Sequence, residues 1–178
     1  SCFGSRKSAA NDRNSKIGGI KVDSGLLVNL LRNRITLVNN SWEGYIKSGI
    51  DVTNTEGIQI ENNIIETRGD RLLQNCSIML SNAPLGKGEP IVVKNNTLYL
   101  YSLAPYNNTQ VAIYSSKLAH LDVRNNIIDI HGGEFSSYPY ACYVSNPNSD
   151  TSFTYNIYNG VTTDLVWSPP FGASRIPP

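Results

Sequence analysis

The sequence is short of most features that announce a chemistry. It holds 15 Lys and Arg against 14 Asp and Glu, a net charge of +1, so it lacks the basic excess of a nucleic-acid footprint. Its three cysteines are an odd count, which bars complete internal pairing. Cys76 and Cys142 lie in or beside strand-like runs, where a thiol behaves as a small hydrophobe, and Cys2 stands alone near the terminus. No apolar run approaches the roughly 18 residues of a membrane span. Two-residue turn signals between adjacent apolar runs, the mark of successive hairpins, are also missing.

What is present is a repeat. Leu121 to Ile130 reads LDVRNNIIDI, and its grammar recurs as RITLVNNSW at 34–42, IQIENNIIET at 58–67, IVVKNNTLYL at 91–100 and a worn SFTYNIYNG at 152–160. An alternating run reaches one or two asparagines and resumes with another apolar run. With Asn40, Asn63, Asn96, Asn126 and Asn156 as the equivalent position, the steps are 23, 33, 30 and 30 residues. Such spacing indicates a solenoid, propeller or array. Asparagine suits the joint, because it enters the left-handed region readily and its amide can bond the copy stacked above it.

An upstream strand completes each turn: GLLVN at 25–29, GIDVTN at 49–54, SIMLSN at 77–82, AIYSS at 112–116 and ACYVSN at 141–146. The expected fold is therefore all-β, a right-handed parallel β-helix of about five coils with Asn at the corners. Residues 20–160 form the helix. A polar arm or linker at 1–19 precedes it, and a Pro-rich cap or linker at 161–178 follows, since proline cannot extend a ladder.

Alternation points Asp122 and Arg124 outward, with Gln59 and Glu61, Val92 and Lys94, and Thr36 and Val38 as the equivalent pairs. Beyond the asparagine, a second column reads Glu66, Tyr99, Asp129 and a third Arg68, Tyr101, His131. Carboxylates two coils apart would stand about 9–10 Å from each other, room for a water between them. A metal at Asp129 and His131 would need further ligands that the sequence does not supply in register. Nine of the ten tyrosines lie between Tyr99 and Tyr158, and a tyrosine offers a sugar ring a flat face and a hydroxyl. The connections 68–74, 102–110 and 132–139 all follow the post-asparagine strand and should wall a groove beside it.

Written as GIDVTN followed by GIQIENNIIET, the repeat resembles the right-handed parallel β-helix superfamily of pectate lyases, polygalacturonases and tailspikes over about residues 20–160. Residues 49–71 are most similar to a polygalacturonase segment, but Lys47-Ser48 replaces Thr-Asp and Gly69-Asp70-Arg71 replaces Gly-Asp-Asp, leaving Asp51 and Asp70 as the acidic matches. The Gly-His-Gly and Arg-Ile-Lys motifs are absent. A lyase-like mechanism, which the resemblance implies, would use Arg124 or Lys94 as the base and Asp122 as a metal or substrate ligand. Tyr99, Tyr101, Glu66, Asp129, His131 and Arg68 would bind the substrate. Calcium would be the cofactor in that lyase-like case, and none is required otherwise. The expected function is a secreted or cell-surface protein that engages polysaccharide. The competing expectation is a fibre, adhesin or filament subunit whose partners are copies of itself.

Overall fold

The computed structural model describes residues 17–39, 47–69, 74–82, 90–102, 109–116, 120–132, 138–144, 151–160, 166–168 and 172–174. Among them there is no helix. The chain runs through β1 (Ile17–Leu31), β2 (Arg34–Asn39), β3 (Lys47–Glu61) and β4 (Ile64–Gly69). It continues through β5 (Gln74–Ser81), β6 (Ile91–Lys94), β7 (Thr97–Ser102), β8 (Thr109–Ser116), β9 (Leu121–Arg124) and β10 (Ile127–Gly132). β11 (Tyr138–Val144), β12 (Thr151–Thr154), β13 (Ile157–Asn159), β14 (Val166–Ser168) and β15 (Gly172–Ser174) complete it.

All pairing is parallel except that of β14 with β15, and the fold is the expected parallel β-solenoid. β13, β10, β7, β4 and β2 form one sheet in that order. The ten-stranded sheet covers two further faces. It bends within β3, whose first half pairs with β5 and whose second half pairs with β6. The bend falls at Asn54, and at Ser24 in β1, both with positive φ. Each coil thus has a first face led by β3, a second face led by β6 and β9, and a third face in the five-stranded sheet. Coils 47–69, 74–102 and 109–132 have a neighbour on either side, giving about three full turns of packed core. Coils 17–39 and 138–159 flank them.

The asparagine corner joins the second and third faces, and its two positions have separate jobs. The first adopts the left-handed conformation, φ 54–56°, at Arg32, Asn62, Asn95, Asn125 and Tyr155. Arg and Tyr can serve there because that position only turns the chain. The second position carries the ladder. Asn63 donates its backbone N–H and its Nδ2 to Asn96 Oδ1, each at 2.9 Å. Asn96 does the same to Asn126 Oδ1 at 2.9 and 3.0 Å. Each Nδ2 also donates back to the coil before it, as Asn96 does to the Ile60 carbonyl at 2.9 Å. These amides are almost wholly buried, and every donor and acceptor is used as burial demands.

The ladder begins at Asn33, not Asn40. Asn33 donates its N–H and Nδ2 to Asn63 Oδ1 at 2.8 and 2.9 Å, so the first step is 30 residues. RITLVN is therefore the third-face strand of the first coil: Thr36 pairs with Glu66 and Val38 with Arg68. Its likeness to the second-face runs misled because both approach Asn-Asn along an apolar alternation. GLLVN is likewise out of register. GIKVDS at 19–24 aligns with GIDVTN, through Ile20 on Ile50 and Val22 on Val52, so residues 17–19 begin a strand rather than belonging to the arm.

Inward positions stack by kind. Ile50, Ile78 and Ile113 line the first face, Ile60, Val93 and Val123 the second, and Ile65, Leu98 and Ile128 the third, all at 1 % exposure or less. Small residues open the first face at Gly49, Ser77, Ala112 and Ala141. A Cβ at Gly49 would collide with Ile65 Cγ2 and lie 2.9 Å from the Ser77 carbonyl.

The two corner positions predict opposite mutational outcomes. Asn96→Ala leaves the Asn63 donors and the Ile60 carbonyl unpaired in the core and should cost about 3–5 kcal/mol in urea unfolding. Asn95→Gly keeps the left-handed turn and should stay within about 1 kcal/mol of wild type. Gly49→Val should lose about 1–3 kcal/mol by overpacking.

Candidate functional site

The residues singled out for chemistry fall on two faces, on opposite sides of the asparagine corner. On the second face Asp122 pairs with Val92 across the rung and Arg124 pairs with Lys94. Lys94 Nζ lies 2.6 Å from Glu61 Oε1 on the preceding rung, and Arg124 Nε lies 3.1 Å from Asp122 Oδ2 two residues away. Ser152 adds a hydrogen bond to Asp122 Oδ1 at 3.0 Å. Four charges thus cancel in two partly exposed pairs, each worth about 0–1 kcal/mol. Arg124 and Lys94 stand side by side as the sequence required, each with its own carboxylate. The column continues to Leu31 and Thr154, not to Val38.

On the third face the register places Thr36, Glu66, Tyr99, Asp129 and Asn159 in one column. Val38, Arg68, Tyr101 and His131 form the next. Strand alternation turns both columns to solvent because the residues between them, Thr67, Leu100 and Ile130, are buried in the core. Arg68 Nε pairs with Glu66 Oε1. His131 Nε2 lies 2.8 Å from Asp129 Oδ1, which also accepts from Asn159 Nδ2 at 2.8 Å. The Tyr99 ring sits 5.5 Å from the His131 ring at a 43° tilt. Tyr99 and Tyr101 therefore occupy the middle rung, with an acid and a base on the rungs to either side. Glu66 and Asp129 are two rungs apart, about 9–10 Å along the stack.

The other tyrosines divide by position. Tyr114 and Tyr143, neighbours on the first face, have rings 5.1 Å apart at 9°, so each covers a face of the other. That arrangement offers a ligand ring edges more than flat surface. Tyr158 is half-buried against the core, while Tyr155 takes the left-handed corner at 85 % exposure. Sequence reading grouped all these residues; the distinguishing signal is their phase relative to the asparagine. The connections at 70–73, 103–108 and 133–137, expected to wall the groove, lie outside the described residues, as do Cys2, Asp70 and most of the arm.

Sequence reading missed Gln110, whose amide is fully buried at the start of β8 and whose nitrogen and oxygen have no partner among the described residues. Nothing in its local sequence marks it, since a glutamine opening a strand is ordinarily exposed. Among the described residues no three His, Cys, Asp or Glu side chains converge to hold a metal ion. No described helix is long and apolar enough to cross a membrane. Comparison of the chain with protein-family profiles, curated proteins and solved structures gives no significant match.

Both described cysteines are buried in the core and free. Burial pushes the Cys76 thiol up to about 12, outweighing its hydrogen bonds, and pushes Cys142 upward as well. Neither is a nucleophile in the folded state. A thiol that ionises near 9.0 when unfolded and near 12 when folded leaves the native state holding more protons between those values. Stability should then fall as pH rises through that window. Urea unfolding at pH 8 and pH 10 should show the loss, and Cys76→Ala should make it shallower.

Proposed function

We propose that the third face of the solenoid is a carbohydrate-binding surface, and that the protein acts outside the cell or at its surface, where it engages polysaccharide. The observation that carries this reading is the placement of Tyr99 and Tyr101 on one rung between Glu66 with Arg68 and Asp129 with His131. A sugar ring needs an apolar flank for its C–H face and donors and acceptors for its hydroxyls, and this patch supplies both within three rungs. The patch lies across strands stacked along the solenoid axis, which suits an extended polymer better than a small molecule. Its charges are paired, so neutral sugars are accommodated as readily as acidic ones.

Lyase or hydrolase action is a finer reading of the same protein. The base, Arg124 or Lys94, would work on the second face with Asp122 as substrate or metal ligand, so a polymer would have to span the asparagine corner to reach both sets. Glu66 and Asp129, by contrast, share one face with the tyrosines and have the spacing of an acid and base acting through a water.

Affinity electrophoresis against acidic and neutral polysaccharides, with and without calcium, tests binding directly. Wild type should be retarded by at least one polymer, and Tyr99→Ala and Tyr101→Ala should each weaken that retardation up to about tenfold. Equal retardation of wild type and both variants would remove the third face as the binding surface. If products form, Arg124→Ala should abolish turnover while leaving retardation intact; unchanged turnover would eliminate Arg124 as the base.

A further inference from the structure

The asparagine ladder has a direction, and its two ends are complementary. At each internal step the N-terminal coil gives its Asn backbone N–H to the Oδ1 of the next coil, at 2.8 Å from Asn33 to Asn63 and 2.9 Å from Asn126 to Asn156. In return, the residue after each later asparagine donates to the earlier asparagine's carbonyl, as Ile64 does to Asn33 at 2.9 Å and Ile157 to Asn126 at 2.8 Å. The first coil therefore ends in an acceptor, Asn33 Oδ1, and a donor, Arg34 N–H. The last ends in a donor, Asn156 N–H, and an acceptor, the Asn156 carbonyl. None of these four groups has a partner among the described residues.

The apolar columns are open at the same two places. Ile20, Val22, Leu30 and Leu37 at one end, and Phe153 and Tyr158 at the other, are only partly buried although each continues a column that is sealed in the middle coils. A second copy of this chain matches both requirements, because its first coil presents the groups that the ladder uses internally.

We propose that copies of this chain associate head to tail, the coil at 17–39 of one copy docking as the next rung on β12 and β13 of another. Asn156 N–H donates to the docking copy's Asn33 Oδ1, and its Arg34 N–H donates to the Asn156 carbonyl. On the first face that rung is held by β14, which pairs with β11 through two residue pairs, Cys142 with Val166 and Tyr143 with Trp167. β14 is itself followed by the antiparallel β15. The docking copy's Ile17–Asp23 stretch takes the place of this short hairpin, so the hairpin competes with association and limits it. An antiparallel strand at the rim is one way a solenoid avoids unrestrained stacking.

Sedimentation across a concentration series tests this on the full chain. The weight-average mass of wild type should rise above 19.6 kDa with concentration. Arg34→Pro removes an edge N–H that no described residue uses, and edge strands tolerate proline. It should keep the circular dichroism of wild type and stay monomeric. Ala173→Pro, which weakens the pairing of β15 with β14, should associate at lower concentration than wild type. A double variant, Thr36→Cys with Asn159→Cys, reads the register. These positions lie four rungs apart within a chain, about 19 Å, but on adjacent rungs across the proposed junction, within disulfide reach. Oxidation should give a ladder of multimers on a non-reducing gel. Wild type that stays monomeric into the millimolar range, association unaffected by Arg34→Pro, or a double variant that cross-links no more than wild type would each overturn the proposal. Polysaccharide binding by the third face is measured independently, so either reading can fail alone.

Discussion

The structure depends on one constraint: the buried asparagine amides at the corner must have all their hydrogen bonds made. Asn63, Asn96 and Asn126 are almost fully buried, and each meets that requirement through another asparagine one coil away. A slip of one residue in any coil would bury an unpaired amide and turn a whole strand's isoleucines to solvent. Register is therefore specified twice, by the ladder and by the apolar columns, and the two agree at every internal coil. The step from Asn63 to Asn96 is 33 residues rather than 30. The difference is absorbed in the connections between faces, leaving the strands equal.

This explains what was legible in the sequence and what was not. The Asn-Asn pair followed by alternating apolar residues identified a solenoid directly, because those residues carry the constraint. The first coil was misread for a physical reason. Its corner is Arg32-Asn33, with Arg in the left-handed position, so the doublet is lost where it matters, while Asn39-Asn40 supplies a decoy seven residues later. The left-handed position needs only a tolerable positive φ, and Arg32 and Tyr155 meet that need. Only the second asparagine is indispensable. Counting from it alone recovers the register at every coil.

The candidate site was legible one column at a time. Alternation placed Tyr99 with Glu66 and Asp129, and Arg124 with Lys94, and the pairing agrees with both columns. The relation between the columns could not be read, because it depends on the corner. A turn of one left-handed residue and one ladder asparagine sends Arg124 and Asp129 onto different faces although five positions separate them. Charge partners were also beyond reach. Lys94 could have met either Glu61 or Asp122 from its place in the sequence, and it pairs with Glu61 while Asp122 takes Arg124.

A repeat fold separates the information about shape from the information about use. Inward columns repeat one kind of residue because each coil has the same space to fill, and so they say nothing of what the protein does. Outward columns are free of that demand, and a residue that breaks their pattern is not there to hold the coil. In the column Thr36, Glu66, Tyr99, Asp129, Asn159 every member but one is small or charged or an amide. Tyr99 is the exception, with Tyr101 beside it, and neither ring is used in the core. Tyr114 and Tyr143 also face outward, but they stack on one another and so have a structural reason to be paired. Tyr101 has no such ring partner among the described residues, and Tyr99 meets only the tilted ring of His131. The departure from pattern that the fold leaves unexplained is therefore on the third face, which is why binding is proposed there rather than on the second face.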